Sequence, residues 1–442
     1  MVFGTDEQTI YDLNIFPKYG DNISIFDFYN LTITKGGRNK LEQMLGNPIC
    51  DLVEINNRIS AIKYIKENKI SCKLNNDYLD FIEFYLSQNT PILQDNFYDS
   101  ISAKILYEIK PSNEYYIIQR GLEYLKHHLI VLSEFLQDID DDGMSVFFRK
   151  LSDEIKNIKD NPEFMLFLKS QKQGFTFRQI NHYDSLIRKS EKETIKKVLK
   201  LTYELDVYLS IAYVSIDKGL EFPNFLKESK PFLKLNRFFH PLIEKPIKNN
   251  FETISNKNFC FVSGANMSGK STFLKTVGLC VYLAHIGFPV PAKEMELSMF
   301  NGFYSSINIS DNINKGYSHY YSEVKRVKEV ALKIKEKRKV LVIFDELFRG
   351  TNVKDAFDAT LMVSKGFSEI KESLFFISTH IVEVGEELKK NKNIDFKCFL
   401  SSLNGEELMY NHKLNDGISK ERLGLTILKN EKVIDIIRQI NT

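Results

Sequence analysis

The spacing of hydrophobic positions changes part way along the chain. Between about residues 183 and 218, Val198, Thr202, Leu205, Leu209, Ala212 and Ile216 recur every three or four residues, which places them on one stripe of a long helix. Segments 51–67, 113–137 and 153–167 also read as helical, and Gly and Pro are sparse in this half. The sequence Gly219-Leu-Glu-Phe-Pro223 then breaks the long helix. From about Lys234 onward, short β-branched or aromatic runs alternate with helical stretches. Residues 258–262, 340–345 and 374–378 read as buried strands, each followed by a helix, the signature of an α/β domain with a partly parallel sheet. Segments 397–403 and 407–414 flank Asn404-Gly405, a type I′ hairpin pair. The pattern predicts a multidomain protein, α-helical over residues 1–230 and α/β over residues 231–442.

A length of 442 residues suits two or three domains with ordinary cores. No apolar run reaches the ~20 residues that span a bilayer, and the N-terminus has no basic and apolar leader, so a cytoplasmic protein without membrane association is expected. The five cysteines are scattered with no CxxC pair, which argues against a disulfide framework and a zinc site and leaves them as reduced core residues. Lys and Arg number 60 against 58 Asp and Glu, so any attraction to nucleic acid must come from a local patch. The run 333–339 and the basic face from Arg188 to Lys200 are the two candidates, each of which also reads as a solvated helix face.

Specific chemistry enters at Gly264-Ala265-Asn266-Met267-Ser268-Gly269-Lys270-Ser271, which matches GxxxxGK[ST] between a predicted strand and a predicted helix. Glycines let backbone N–H groups curl round phosphates, and a helix N-terminus adds partial positive charge. Lys270 is positioned to reach the β- and γ-phosphates of ATP and Ser271 to ligate Mg²⁺. A second apolar run, 340–345, ends in Asp345-Glu346, where the strand ends of open α/β sheets carry ligands. Asp345 is expected to hold Mg²⁺ through water and Glu346 to act as general base on the attacking water. A third run ends in Ser378-Thr-His380, which makes His380 a candidate γ-phosphate sensor.

With these elements placed, the order Gly264 to Thr272, Val290-Pro-Ala292, Gly316-Tyr-Ser318, Asp345-Glu-Leu-Phe-Arg-Gly-Thr351 and Ser378-Thr-His380 resembles the MutS ATPase. His240-Pro241, Asn415-Asp-Gly417 and Arg422-Leu-Gly-Leu425 extend the similarity over residues 234–442. More weakly, the stretch from Asp6 to Ile15, Thr34-Lys-Gly-Gly-Arg38 and Asn47-Pro48 resemble the opening of that family's helical core and lever region. The resemblance implies a core/lever domain followed by an ABC-like P-loop NTPase domain whose sites are completed across a homodimer. It implies that Ser318 reaches the partner's γ-phosphate and that Asn266 lies near the nucleotide. Read without the family, Ser318 is the N-cap of a helix whose apolar face is Val324, Val327, Ala331 and Ile334.

The departures from the pattern also count. The core-like motifs begin at Asp6, so neither a mismatch-reading domain nor a connector is expected, and the stretch to Pro223 is short for an inserted DNA clamp. Ser268, Tyr317 and Phe348 stand where the family usually has glycine, arginine and glycine. No nuclease domain is visible before Thr442. The expectation is an ATP-dependent DNA-binding ATPase of DNA repair or recombination, with a branched or otherwise structure-specific DNA target in place of a mismatch. The alternative is an ATP-driven protein-interaction switch that touches no DNA.

Overall fold

A computed structural model describes residues 3–18, 23–88, 92, 113–139, 144–170, 175–307, 319–404, 407–419 and 436–437. The backbone forms two units, one of Tyr29–Met44 and Asn56–Asp217, the other of Met1–Phe28, Leu45–Ile55 and Lys218–Thr442. No helix among the described residues is long and apolar enough to cross a membrane.

Among the described residues, the helices of the N-terminal half are α1 (Glu7–Asp12), α2 (Ile25–Tyr29), α3 (Lys35–Gly46), α4 (Leu52–Asn68), α5 (Asn76–Ser87), α6 (Asn113–Gln137), α7 (Val146–Asp160), α8 (Pro162–Lys169), α9 (Phe177–Ser185) and α10 (Lys192–Lys218). Local chemistry sets their ends. Asn75 and Ser145 cap α5 and α7, and Thr176 with Gln179 forms a capping box on α9. The single helix expected over 153–167 is two. Asn161 precedes Pro162, which disfavours helical backbone at Asn161, and the Asn161 side chain caps α8 instead.

The helix expected over 183–218 is likewise interrupted, by a π-helical turn at Leu186–Ser190. Within it the buried Arg188 guanidinium donates two hydrogen bonds to Asp184, at 2.6 and 2.5 Å, and the Tyr85 hydroxyl donates to the same carboxylate. Arg188 is therefore a core residue and not part of a basic face. Further along, α10 buries Val198, Thr202, Leu205 and Ala212 as its spacing predicts, but Ile216 is exposed. Buried Asp206 accepts from the backbone N–H groups of Ile33 and Thr34, which fixes the start of α3. α10 ends at Lys218 because Gly219 adopts a left-handed φ of 63°.

In the other unit the strands are β1 (Asn224–Leu226), β2 (Leu233–Phe238), β3 (Asn249–Glu252), β4 (Phe259–Gly264), β5 (Glu294–Ser298), β6 (Gly302–Ser306), β7 (Val340–Asp345), β8 (Leu374–Ser378), β9 (Ile394–Asn404) and β10 (Glu407–Asp416). Helices α11 (Lys270–Ile286), α12 (His319–Glu336), α13 (Val353–Ser368) and α14 (Val382–Leu388) alternate with them. The six-stranded sheet has the order β10-β9-β4-β8-β7-β6, parallel from β9 to β6 with β10 antiparallel at one edge. A four-stranded mixed sheet, β1-β5-β2-β3, was not anticipated. β4, β7 and β8 are buried at every position, as continuous apolar runs in a parallel sheet must be. The backbone of β9 and β10 forms the expected hairpin, while its Gly405 turn lies outside the described residues.

α11 is buried almost all round. Gly278 lets it approach the sheet, since a Cβ there would stand 2.6 Å from the Phe303 ring. The Tyr282 hydroxyl donates to the carbonyl of Leu45, and the buried His285 ring lies 3.0 Å from the carbonyl of Ile49. α12 turns a different face inward from the one expected. Glu323, Val330 and Ile334 are buried with Val327 half-buried, while Val324 and Ala331 are exposed.

The first residues of the chain also belong to this unit. Gly4 bridges Gly302 at the start of β6, and Asp12 accepts from the Ser305 hydroxyl and the Ile307 N–H. Asp6 caps α1 and accepts from both terminal nitrogens of Arg326 on α12, at 2.7 and 3.1 Å.

Candidate active site

Parallel pairing brings three strand ends to one edge of the sheet. Val262 of β4 and Asp345 of β7 both lie in register with Ser378 of β8, which runs between them. The loops that leave these ends carry the residues singled out from the sequence.

The loop after β4 is built on left-handed backbone at Gly264, Met267 and Gly269, with φ of 149°, 66° and 113°. A Cβ on Gly264 would stand 2.8 Å from the carbonyl oxygen of Phe399, so this position is sterically closed to a larger residue. α11 starts directly at Lys270, with no side chain capping its first turn, so its free N–H groups and dipole are open to an anion. Lys270 is buried, and its ammonium donates to the carbonyls of Gly264 and Ala265 at 2.8 and 2.9 Å. Burial lowers its pKa, and the carboxylates of Glu346 and Asp345 oppose that shift.

At the end of β7, Asp345 is buried and accepts from the hydroxyls of Ser271 and Ser378. Burial pushes its carboxyl above the ordinary value against those two hydrogen bonds. Glu346 takes a left-handed φ of 53°, an uncommon conformation for glutamate that costs about 1–3 kcal/mol and persists only where neighbours enforce it. Its N–H donates to the Ser378 carbonyl at 3.0 Å, and its carboxylate faces two cationic groups, Arg349 at 2.8 Å and Lys270 at 3.6 Å, and the His380 ring at 3.6 Å. Burial alone would raise the Glu346 pKa, but the His380 hydrogen bond and the Arg349 and Lys270 charges hold it down to about 2. Phe348 also has a left-handed φ, 65°, which explains why glycine suits this position. Here a buried phenylalanine is pinned instead against Tyr320, with ring centroids 5.6 Å apart.

These residues border a cleft of about 550 Å³. Of the residues expected at the nucleotide, Asn266, Met267, Gly269, Lys270, Ser271, Thr272 and Glu346 line it. Gly264, Ala265, Ser268, Asp345 and His380 support that wall without lining it. Ser268 is buried and its hydroxyl has no partner among the described residues. Ser318 lies outside the described residues, as does Arg422-Leu-Gly-Leu425.

Sequence reasoning missed the opposite wall, which Ile243, Pro246, Ile247, Phe399 and His412 form. His412 has a left-handed φ of 50° in an irregular stretch of β10, and its ring nitrogen lies 3.0 Å from the carbonyl of Ser268. Arg349 was also missed, although a basic residue three positions after a strand-end carboxylate was the available signal. The arrangement offers an uncapped helix N-terminus, a buried ammonium, a serine–aspartate pair and an ionised glutamate on one side, and an apolar wall on the other. That set suits a phosphorylated ligand with a flat, largely apolar end.

Comparison with known proteins gives two family matches. Residues 260–440 match the model for MutS domain V, and residues 8–212 match that for MutS domain III. The DNA mismatch repair protein MutS of Petrotoga mobilis is 23% identical over 517 aligned residues, covering 96% of this chain and 62% of that protein. MutS of Pseudothermotoga lettingae is 28% identical over 285 residues, covering 63% of this chain and 34% of its own length. MutS protein homolog 4 of Homo sapiens is 29% identical over 229 residues, covering 49% and 24%. The chain thus spans less than two thirds of the length of these relatives.

Proposed function

The chain belongs to the MutS family, and from that membership and the geometry of the cleft we propose that it is an ATPase that couples Mg²⁺-dependent ATP hydrolysis to DNA binding. The observation that carries this reading is the convergence of Lys270, Ser271, Asp345 and Glu346 at the ends of β4 and β7, on either side of β8, beside the uncapped start of α11.

The residues present fit the nucleotide and the ion. Lys270 and the N–H groups of the Gly264–Ser271 loop would take the β- and γ-phosphates, and the base would lie against Ile243, Ile247 and His412. Ser271 and Asp345, already paired, would hold Mg²⁺. The ion supplies charge neutralisation on the phosphates. Glu346, ionised throughout the neutral range, would orient the attacking water and accept its proton. A Lys270 drawn toward phosphates no longer holds Glu346 down, so the carboxylate becomes more basic when nucleotide is bound. His380, beside Glu346, would sense the γ-phosphate.

Family membership supports two further parts of the reading. One is an ABC-like domain working as a homodimer, with Ser318 completing the partner's site. The other is a structure-specific DNA target, in the cytoplasm and in repair or recombination, consistent with relatives named as DNA mismatch repair proteins. Closure of the dimer on ATP must favour one DNA-bound state over the other, since coupling requires differential affinity. The test is the ATPase rate with and without duplex, forked and four-way DNA. Stimulation by one of them identifies the target, and no ATPase activity under any condition removes the proposal.

A further inference from the structure

Within the helical unit, a cleft of about 970 Å³ opens between α3, α5 and α10. Five lysines line it, Lys35 and Lys40 from α3 and Lys192, Lys196 and Lys200 from α10. The three on α10 are four residues apart, which stacks them on one helix face at about 6 Å intervals. Asp80 and Glu83 of α5 are the acidic residues on the wall, and both are engaged by neutral donors. Asn76 donates to Asp80, and the Tyr203 hydroxyl donates to Glu83. Lys40 pairs with Glu204 and Lys196 with Glu193, whereas Lys35, Lys192 and Lys200 have no ion-pair partner among the described residues. Asp80 and Glu83 keep their charge under these neutral donors, so the lining carries five lysines against two carboxylates, a local positive excess in a chain with 60 basic and 58 acidic residues.

The cleft also carries an aromatic surface. Phe84, 47% exposed, stands on the wall contributed by α5. Tyr203 closes the floor against Gly36, where a Cβ would fall 2.4 Å from its ring. A regular row of cations beside an exposed ring is the combination that holds a single nucleic-acid strand, the lysines taking phosphodiesters and the ring a base face. A duplex keeps its base faces stacked and has no use for Phe84.

We infer that this cleft binds single-stranded DNA. The inference rests on the reading of DNA as the target and assigns part of that binding to α3, α5 and α10. The test is fluorescence anisotropy of a labelled 20-nucleotide oligo-dT with the full chain, titrated at several salt concentrations. Lys192→Glu with Lys200→Glu should weaken binding at least tenfold and make the log–log salt dependence shallower by about 1.4, from two lost contacts at ~0.7 each. Phe84→Ala should weaken it about tenfold with the salt slope unchanged. Lys371→Glu with Lys392→Glu, exposed lysines elsewhere, makes the same change in net charge and should have little effect. The DNA-independent ATPase rate should be equal in all variants.

The outcomes separate the two claims. If the wild-type chain binds no DNA, both the DNA target and the cleft assignment fall. If it binds, and the Lys192/Lys200 variant is no weaker than the Lys371/Lys392 variant, the DNA target stands and the cleft assignment falls. If duplex of the same length binds as tightly and suffers the same loss, the single-strand assignment is overturned.

Discussion

Ser378 donates its hydroxyl to the carboxylate of Asp345 while its carbonyl accepts the N–H of Glu346, so one residue of β8 fixes both acidic residues at the end of β7. Ser378→Ala keeps the carbonyl but removes the hydroxyl, leaving a buried Asp345 with one donor fewer. The lost hydrogen bond to a buried charge is worth about 1.5–3 kcal/mol. The expected result is an ATPase rate lower by about tenfold, with half-saturation at higher Mg²⁺. A rate and Mg²⁺ dependence equal to wild type would show that Ser378 plays no part in positioning Asp345.

Lys270 and Glu346 face each other at 3.6 Å but are assigned different roles, and substitution separates them. Lys270→Ala should abolish tight ATP binding, because the phosphates lose their buried cationic partner. Glu346→Gln should retain nucleotide binding and lose ~10²-fold or more in hydrolysis. Equilibrium binding of a labelled ATP analogue and single-turnover hydrolysis check the pair. Near-normal affinity in a folded Lys270→Ala protein would refute the loop assignment.

If Ser318 serves the partner's nucleotide, the isolated protomer is an incomplete enzyme. Specific ATPase activity should then rise with protein concentration. A Ser318→Arg chain and a Glu346→Gln chain, each inactive alone, should recover part of the activity on mixing, because a mixed dimer can gather both defects in one site and leave the other whole. A monomer by sedimentation with concentration-independent activity would exclude the shared site.

His285 is fully buried, and burial lowers its pKa to about 4 from an ordinary value near 6.5. Between those values the unfolded chain binds a proton that the folded chain does not, so stability rises with pH across this window. The contribution is complete above pH 6.5 and is lost as pH falls toward 4, at about 1.4 kcal/mol per pH unit. Urea unfolding of wild type at pH 7 and pH 5 should differ by about 2 kcal/mol from this group, with His128 and His240 acting in the same direction. His285→Gln should remove its share of that difference, and an unaltered pH dependence in the variant would exclude His285 as a source.

The strands that carry the site were legible because a parallel strand covered on both faces is a continuous apolar run, and β7 and β8 match the expected 340–345 and 374–378 residue for residue. Helix ends were less so. The split at Asn161 turns on one residue before a proline, and the interruption near Arg188 accompanies a buried ion pair with Asp184 whose shielding is invisible in charge spacing. The face of α12 was misjudged because Glu323, counted as polar, is buried. His412 was out of reach for another reason: its place on the cleft depends on an irregularity in the β10 pairing, which no hydrophobic period encodes.

The placement of residues 1–28 with β6 and α12 also sets the order of events during synthesis. Gly4 leaves the ribosome 298 residues before its partner Gly302, and at 5–20 residues per second that is a wait of about 15–60 s. Through that interval Asp6 lacks its ion-pair partner Arg326 and Asp12 lacks the Ser305 hydroxyl, and before it ends every segment of 29–217 has been made. A fragment that begins at the α/β half would never receive this segment. It would expose the free side of β6, an unpaired strand edge open to pairing with another chain.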